Sequence, residues 1–138
     1  MNALLAINLS DNMRLVVVSS KTLENIQCCD GIDIKVYHEN NQYVVCEKLV
    51  ARELSLLRKV LTYMLLKQEQ QPVSLWNFLQ INWTSQGLRL GICYKDSIWK
   101  HWIVSFDLIQ AWISQIELLL VVMEENENEL KNKGKGCC

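Results

Sequence analysis

The first half of the chain contains short apolar runs and one cleanly alternating segment, residues 32–38, in the pattern of paired β-strands. Four segments of this kind precede residue 50: 3–9, 13–20, 32–38 and 43–48. Residues 10–12, Ser-Asp-Asn, form a turn between the first two, and Asn40 with Asn41 separates the last two. Because asparagine tolerates positive φ, it suits a two-residue hairpin turn. We therefore predict two antiparallel hairpins.

Near Val50 the period of the apolar positions changes from two residues to that of a helix. Leu54, Leu57 and Leu61 recur on one side, while Arg52 faces away from them. The pattern predicts an amphipathic helix of about five turns. It ends over residues 68–72, where the chain's one proline forbids continuation.

The second half of the chain predicts a meander of strands followed by another helix. The strands are expected over 75–83, 88–95 and 98–105. Turns are expected at 84–87 and at Asp96-Ser97. Asp107 with Gln110 resembles a capping box that starts the second helix. Acidic residues over 124–129 oppose the macrodipole at its end, so we expect the helix to fray there.

These elements predict an α+β fold in the order ββββα-βββα, with a mainly antiparallel sheet and two amphipathic helices packed on it. Short hairpin connections favour the antiparallel pairing. We expect residues 1–130 to form a single domain and residues 131–138 to form a disordered C-terminal tail.

Composition and charge restrict the class of protein. Half of the 138 residues are apolar and 21% are charged, which is typical of globular proteins. The formal net charge of −1 gives no overall attraction to nucleic acid or to an anionic membrane. The apolar run 118–123 is far shorter than the roughly 18 residues of a membrane span, and residues 1–5 lack a basic signal region. The expectation is a cytoplasmic protein without a membrane span.

The six cysteines do not have the spacing of a disulfide framework or a zinc site. They are Cys28, Cys29, Cys46, Cys93, Cys137 and Cys138. Cys46 and Cys93 lie within apolar strand patterns, where a thiol behaves as a small hydrophobic group. We expect reduced, structural thiols. The end of the chain, Lys133 to Cys138, resembles the double-cysteine ends of prenylated small GTPases, but no nucleotide-binding loop accompanies it.

Sequence motifs of enzymes are missing from the chain. It contains no dinucleotide or P-loop glycine pattern, no nucleophile elbow and no zinc-protease helix. The two histidines are His38 and His101. Cys93 and His101 could meet across a hairpin, but a nucleophile and base without a third, orienting group are a weak catalytic signature. We therefore predict a protein that is not an enzyme and that uses no cofactor or metal.

All five tryptophans lie between residues 76 and 112, and strand parity divides them into two sets. Trp83, Trp102 and Trp112 share the apolar faces and are expected in the core. The opposite face of the meander collects the candidate partner-binding residues, which are Trp76, Phe78, Arg89, Trp99 and His101. Aromatic residues with arginine are the usual composition of a protein-binding hot spot.

The size, mild acidity and aromatic face look like those of the small α+β immunity proteins with which bacteria neutralise toxins. This resemblance implies a non-enzymatic protein that binds a toxin directly. One alternative is a homodimeric chaperone or adaptor for a secreted effector, in which a second copy covers the aromatic face. Another is a nucleic-acid binder that stacks bases on this face, although only Arg89, Lys95 and Lys100 lie near it.

Overall fold

The computed structural model contains two four-stranded antiparallel sheets and two α-helices, and it describes residues 1–68, 71–95 and 98–132. The first sheet contains, in spatial as in chain order, β1 (Asn2–Ser10), β2 (Met13–Ser19), β3 (Ile32–His38) and β4 (Asn41–Leu49). The helix α1 (Ala51–Lys67) follows. The second sheet, again in chain order, contains β5 (Val73–Leu75), β6 (Leu79–Thr84), β7 (Gly87–Lys95) and β8 (Ile98–Val104), after which comes α2 (Phe106–Asn132). The α+β class, the antiparallel pairing and the two helices are confirmed.

One hydrophobic core joins both sheets and both helices. Leu15 and Ile34 of the first sheet, Leu90 of the second, Leu61 of α1 and Ile116 of α2 belong to a single cluster, and none is more than 2% exposed. Every second residue of β1, β3 and β7 contributes to this cluster, as the period of a strand requires. Each sheet therefore has an inner face toward the core and an outer face.

The segment 75–83 is divided by a turn rather than forming one strand. Trp76 and Asn77 both have positive φ, 55° and 63°, and the Phe78 N–H donates to the Leu75 carbonyl at 3.3 Å. Positive φ at both central residues is the mark of a type I′ turn. Strand parity does not continue through a turn, so Phe78 is buried, with 6% exposure. The expectation that Phe78 lies on the exposed face is wrong.

The helix α1 agrees closely with its sequence prediction. The Glu53 carboxylate accepts a hydrogen bond from the Val50 N–H at 3.1 Å, which satisfies one donor at the start of the helix. At the other end Gln68 adopts the left-handed conformation and its N–H donates to the Met64 carbonyl at 3.1 Å. Residues 69 and 70 of the predicted helix end lie outside the described residues.

The helix α2 starts two residues earlier than predicted, with Ser105 rather than Asp107 as its cap. Ser105 precedes it, and its Oγ accepts a hydrogen bond from the Leu108 N–H at 3.3 Å. Asp107 therefore lies in the first turn, where its carboxylate suits the positive end of the helix dipole. The start predicted at Asp107 and Gln110 is wrong, because a serine hydroxyl supplies the capping acceptor instead.

The same helix continues through the acidic segment instead of fraying. The Asn126 side chain donates to the carbonyls of Leu23 and Ile26 at 3.0 and 2.9 Å, and Lys131 pairs with Glu127 at 3.3 Å. These contacts counteract the unfavourable dipole interaction, so the expected fraying at 124–129 is wrong. Lys131 and Asn132, which we expected in a disordered tail, belong to α2. Asp96, Ser97 and the tail residues 133–138 lie outside the described residues.

By length and composition, α2 is long and apolar enough to cross a membrane, with a mean hydropathy of 1.5 over its most apolar window. Its apolar stripe packs in the protein core, where Ile109, Trp112, Ile116, Leu119 and Met123 are buried. A core helix of a soluble protein passes the same test of length and composition. The absence of a membrane span stays a prediction.

Candidate functional site

The exposed side chains of β7 and β8 form the candidate site on the second sheet. Arg89 is paired with Ile103 across these strands, and Trp99 is paired with Cys93. Arg89 and His101 are exposed, and the exposed fractions of Trp99 and Ile103 are 38% and 51%. We call the four exposed residues Arg89, Trp99, His101 and Ile103 the outer patch. It lies on the side of the sheet away from the core, because the intervening residues of β7 are buried.

His101 is held in the outer patch by its contact with a glycine. It is paired with Gly91, and a Cβ atom at Gly91 would lie 2.6 Å from the His101 Nδ1 atom. The imidazole therefore lies directly against the glycine backbone, an arrangement in which an aromatic ring compensates for a side chain that the strand lacks. Gly91 is thereby buried while His101 stays exposed. This packing places the ring between Arg89 and Trp99.

Trp76 and Phe78 lie at the Trp99 end of the outer patch. The Cys93 N–H donates to the Phe78 carbonyl at 2.9 Å, and Cys93 is the cross-strand partner of Trp99. The rings of Trp76 and Phe78 are stacked, with centroids 5.5 Å apart. Trp76 is half-buried against the core. A bulky residue at positive φ is a conformational outlier that its surroundings must stabilise, and the Phe78 ring supplies that contact.

The structure brings three of the five predicted residues together in an exposed position. These are Arg89, Trp99 and His101. Trp76 is half-buried at the margin and Phe78 is buried. Ile103 lies on the same face, because it is paired with Arg89; it is more exposed than Trp99 and was missing from the predicted site. Its β-branched side chain carried no chemical signal in the sequence, so only its exposure in the structure identifies it.

The outer face of the first sheet has a different character. Val16 on this face is only 2% exposed, beside the paired residue Lys35. The Arg14 guanidinium lies over the Tyr37 ring at 5.3 Å from its centroid, so both groups are already partnered within the sheet. The second sheet instead presents a tryptophan and an isoleucine to solvent beside an arginine that makes no salt bridge within the described part of the chain.

Three described cysteines have free thiols: Cys28, Cys46 and Cys93. Burial raises the pKa of both Cys28 and Cys46, whereas a nucleophilic cysteine needs a lowered pKa because the thiolate is the reactive form. Cys29 is disulfide-bonded, so the expectation of reduced cysteines is wrong at that position. Within the described residues, no three His, Cys, Asp or Glu side chains are grouped to hold a metal ion.

Stability is expected to fall in alkaline solution because of Cys28. Burial raises the pKa of its thiol to about 11 from 9.0, and its hydrogen bond to Glu127 acts in the same direction. Between these values the unfolded chain loses the thiol proton while the folded chain retains it, so the free energy of unfolding decreases as pH rises. Urea denaturation on either side of this interval should show a smaller decrease for Cys28→Ala than for the parent chain. Equal decreases would contradict the assignment.

Comparison with protein families, with curated proteins and with solved structures finds no match to this chain.

Proposed function

We propose that this protein is a non-enzymatic binding module that contacts another protein through the outer patch. The observation that supports the proposal is the exposure of Trp99 and Ile103, at 38% and 51%, beside Arg89 on a regular antiparallel pair of strands. Tryptophan and arginine are the residue types most enriched in binding hot spots. Their exposure in a monomer leaves apolar area that a partner can bury.

The strands supply a rigid platform for this contact. Three cross-strand pairs align Arg89 with Ile103, Gly91 with His101 and Cys93 with Trp99. Because the patch residues project from paired backbone rather than from a loop, little conformational entropy is lost when a partner binds. The indole can fill an apolar pocket while the guanidinium and imidazole donate hydrogen bonds at its margin.

The finer proposal is that the partner is a toxin and that the chain is a bacterial, cytoplasmic immunity-type protein. The small size, the net charge of −1 and the aromatic face support this class. Binding would neutralise the toxin by covering its active site or another essential surface. This part of the proposal rests on analogy at the level of the protein class.

Partner binding is expected to weaken when the outer patch is truncated. The probe is the product of the reading frame adjacent to this gene, with its affinity measured by calorimetry. Trp99→Ala should weaken binding by roughly thirtyfold or more, the loss typical of a hot-spot residue. Ile103→Ala should weaken it less. Val44→Ala is the matched control, because Val44 is 48% exposed on the first sheet.

The circular dichroism spectrum and urea midpoint of each variant show whether it remains folded. Unchanged affinity in a folded Trp99→Ala variant would show that the outer patch is not the contact surface. Toxicity is tested separately by expressing the adjacent product in a bacterial host. Rescue of growth by the parent chain, and not by Trp99→Ala, is expected for an immunity protein. If the adjacent product binds to the outer patch but is not toxic, the proposed immunity function is wrong, whereas the proposed binding surface is supported.

A further inference from the structure

The solvent-facing side of α1 combines basic and apolar residues along its whole length. Leu56, Tyr63 and Leu66 are 43%, 47% and 76% exposed, and they alternate along this side with Arg52 and Lys59. The helix contains four basic residues and one acidic residue. A surface helix normally presents its polar side to water, so exposed apolar side chains here favour a contact surface.

The solvent-facing side of α2 has the opposite charge. This helix contains six acidic residues and one basic residue. Leu118 and Val121 on this side are 66% and 48% exposed. The two helices pack against each other, and Arg58 pairs with Glu117 across them at 3.7 Å. They therefore form one layer with a basic half and an acidic half, on the opposite side of the core from the outer patch.

The charges of the two halves match in position as well as in sign. Leu65 and Gln68 at the end of α1 share a surface pocket with Phe106 and Gln110 at the start of α2, so the helices are antiparallel. Both helices rise by the same distance per residue. We call two residues level when they lie at the same height along the helix axes, and counting in both directions from the Arg58–Glu117 pair gives the level of every other residue. Acidic residues of α2 lie within one residue of the level of three basic residues of α1: Arg52 with Glu124, Lys59 with Glu117 and Lys67 with Asp107.

We propose that the helix layer is the interface of a symmetric homodimer. A two-fold axis parallel to the helices places α1 of each copy on α2 of the other and preserves these levels. Each basic residue then faces the acidic residue at its own level, while Leu56 packs near Leu118 and Val121 of the second copy and Leu66 packs near Leu108. The same contact is made twice, as an isologous interface requires. Neither an unrelated acidic partner nor an unrelated basic one would match both halves.

This interface leaves the outer patch of each copy free, because the patch lies on the other side of the core. The dimer would therefore present two patches, and the function proposed above would be bivalent. The homodimer considered from sequence differs on this point, since its second copy covers the aromatic face.

The first test is the mass of the full chain in solution. Size exclusion with light scattering at low ionic strength, over roughly a hundredfold range of concentration, should reveal twice the 16.1 kDa of one chain, with dissociation on dilution or added salt. A monomer throughout this range would overturn the proposal.

Charge reversal tests the orientation of the two copies. One variant carries Arg52→Glu, and the other carries Glu124→Lys. Both side chains are exposed; Arg52 pairs with Glu53 of its own helix at 4.0 Å, and Glu124 makes no salt bridge within the described residues. Each variant alone should dimerise about tenfold more weakly or worse, whereas an equimolar mixture should restore the dimer, because opposite charges then face each other at both contacts.

Lys21→Glu is the control for Arg52→Glu, since it makes the same change in net charge at an exposed position outside both helices. Equal weakening by the control, or a mixture that fails to associate, would overturn the proposed arrangement. Trp99→Glu should leave the dimer intact; loss of the dimer would instead place the second copy on the outer patch. None of these measurements uses a heterologous partner, so they succeed or fail independently of the binding test.

Discussion

Replacing Trp112 with alanine is expected to lower the free energy of unfolding by about 3–5 kcal/mol, the cost of truncating a large buried aromatic residue. Trp112 is 2% exposed in the middle of the apolar stripe of α2. Its side chain fills space in the core that is shared by the sheets and helices, and alanine would leave a cavity there. Because a domain of this size is stable by only about 5–15 kcal/mol, the loss would be a large part of the total. Urea denaturation followed by circular dichroism measures it.

Trp112→Phe is the informative control for this variant. The indole Nε1–H of Trp112 is buried and has no hydrogen-bond partner among the described residues. A buried, unsatisfied donor costs about 1–3 kcal/mol, so its removal offsets part of the volume lost with phenylalanine. We expect Trp112→Phe to lie within about 1.5 kcal/mol of the parent chain, the usual range for a tolerated hydrophobic replacement. If Trp112→Phe lowers the free energy of unfolding as much as Trp112→Ala does, the unpaired indole N–H does not destabilise the folded protein.

Gly87→Ala is expected to destabilise the protein by about 1–3 kcal/mol, the usual cost of overpacking a site. Gly87 follows the turn between β6 and β7, where Thr84 Oγ1 accepts a hydrogen bond from its N–H at 3.1 Å. A Cβ atom at Gly87 would collide with the carbonyl oxygen of Val104 and lie 2.8 Å from the carbonyl carbon. Backbone of a paired strand cannot turn aside as a side chain can. The melting temperature should therefore fall by several degrees.

Gly91→Ala makes the same chemical change four residues further along β7. The atom nearest to its added Cβ belongs to the exposed His101 ring rather than to the backbone, and that ring can turn toward solvent. Stability should change by less than about 1 kcal/mol, since alanine in place of glycine also lowers the entropy of the unfolded chain. Equal destabilisation by the two variants would show that the His101 ring is as firmly held as the Val104 backbone. The affinity of the Gly91→Ala variant for the binding partner then measures how much the position of the His101 ring contributes to binding.

Within a single strand or helix, residues are buried or exposed as the periodicity of their neighbours predicted. The alternation in β3 placed Ile32, Ile34 and Val36 in the core, and the helical period of α1 placed Leu54 and Leu61 there. Burial of these residues depends on the geometry of one strand or one turn of helix, which neighbouring residues determine. Trp99 and Arg89 followed the same rule, and for that reason part of the candidate site could be predicted.

The prediction of the candidate site was wrong where the chain reverses direction at a turn that has no sequence signal. Trp76 and Asn77 occupy positive φ without glycine, so the turn between β5 and β6 was not recognised and the parity of Phe78 was assigned across it. Contacts between distant residues also prevailed over local preference at the end of α2. There the hydrogen bonds from Asn126 to the carbonyls of Leu23 and Ile26 stabilise a helical segment that its own charges disfavour.

The sequence by itself determined the class of the fold, the two helices, the hairpins other than β5–β6 and which faces are apolar, because these depend on periodicity over a few neighbouring residues. Only the tertiary structure decided that two sheets share one core, that Phe78 is buried while Ile103 is exposed, and that the basic and acidic helices lie side by side. Those features depend on contacts between residues far apart in the chain. The periodicity of neighbouring residues does not encode such contacts.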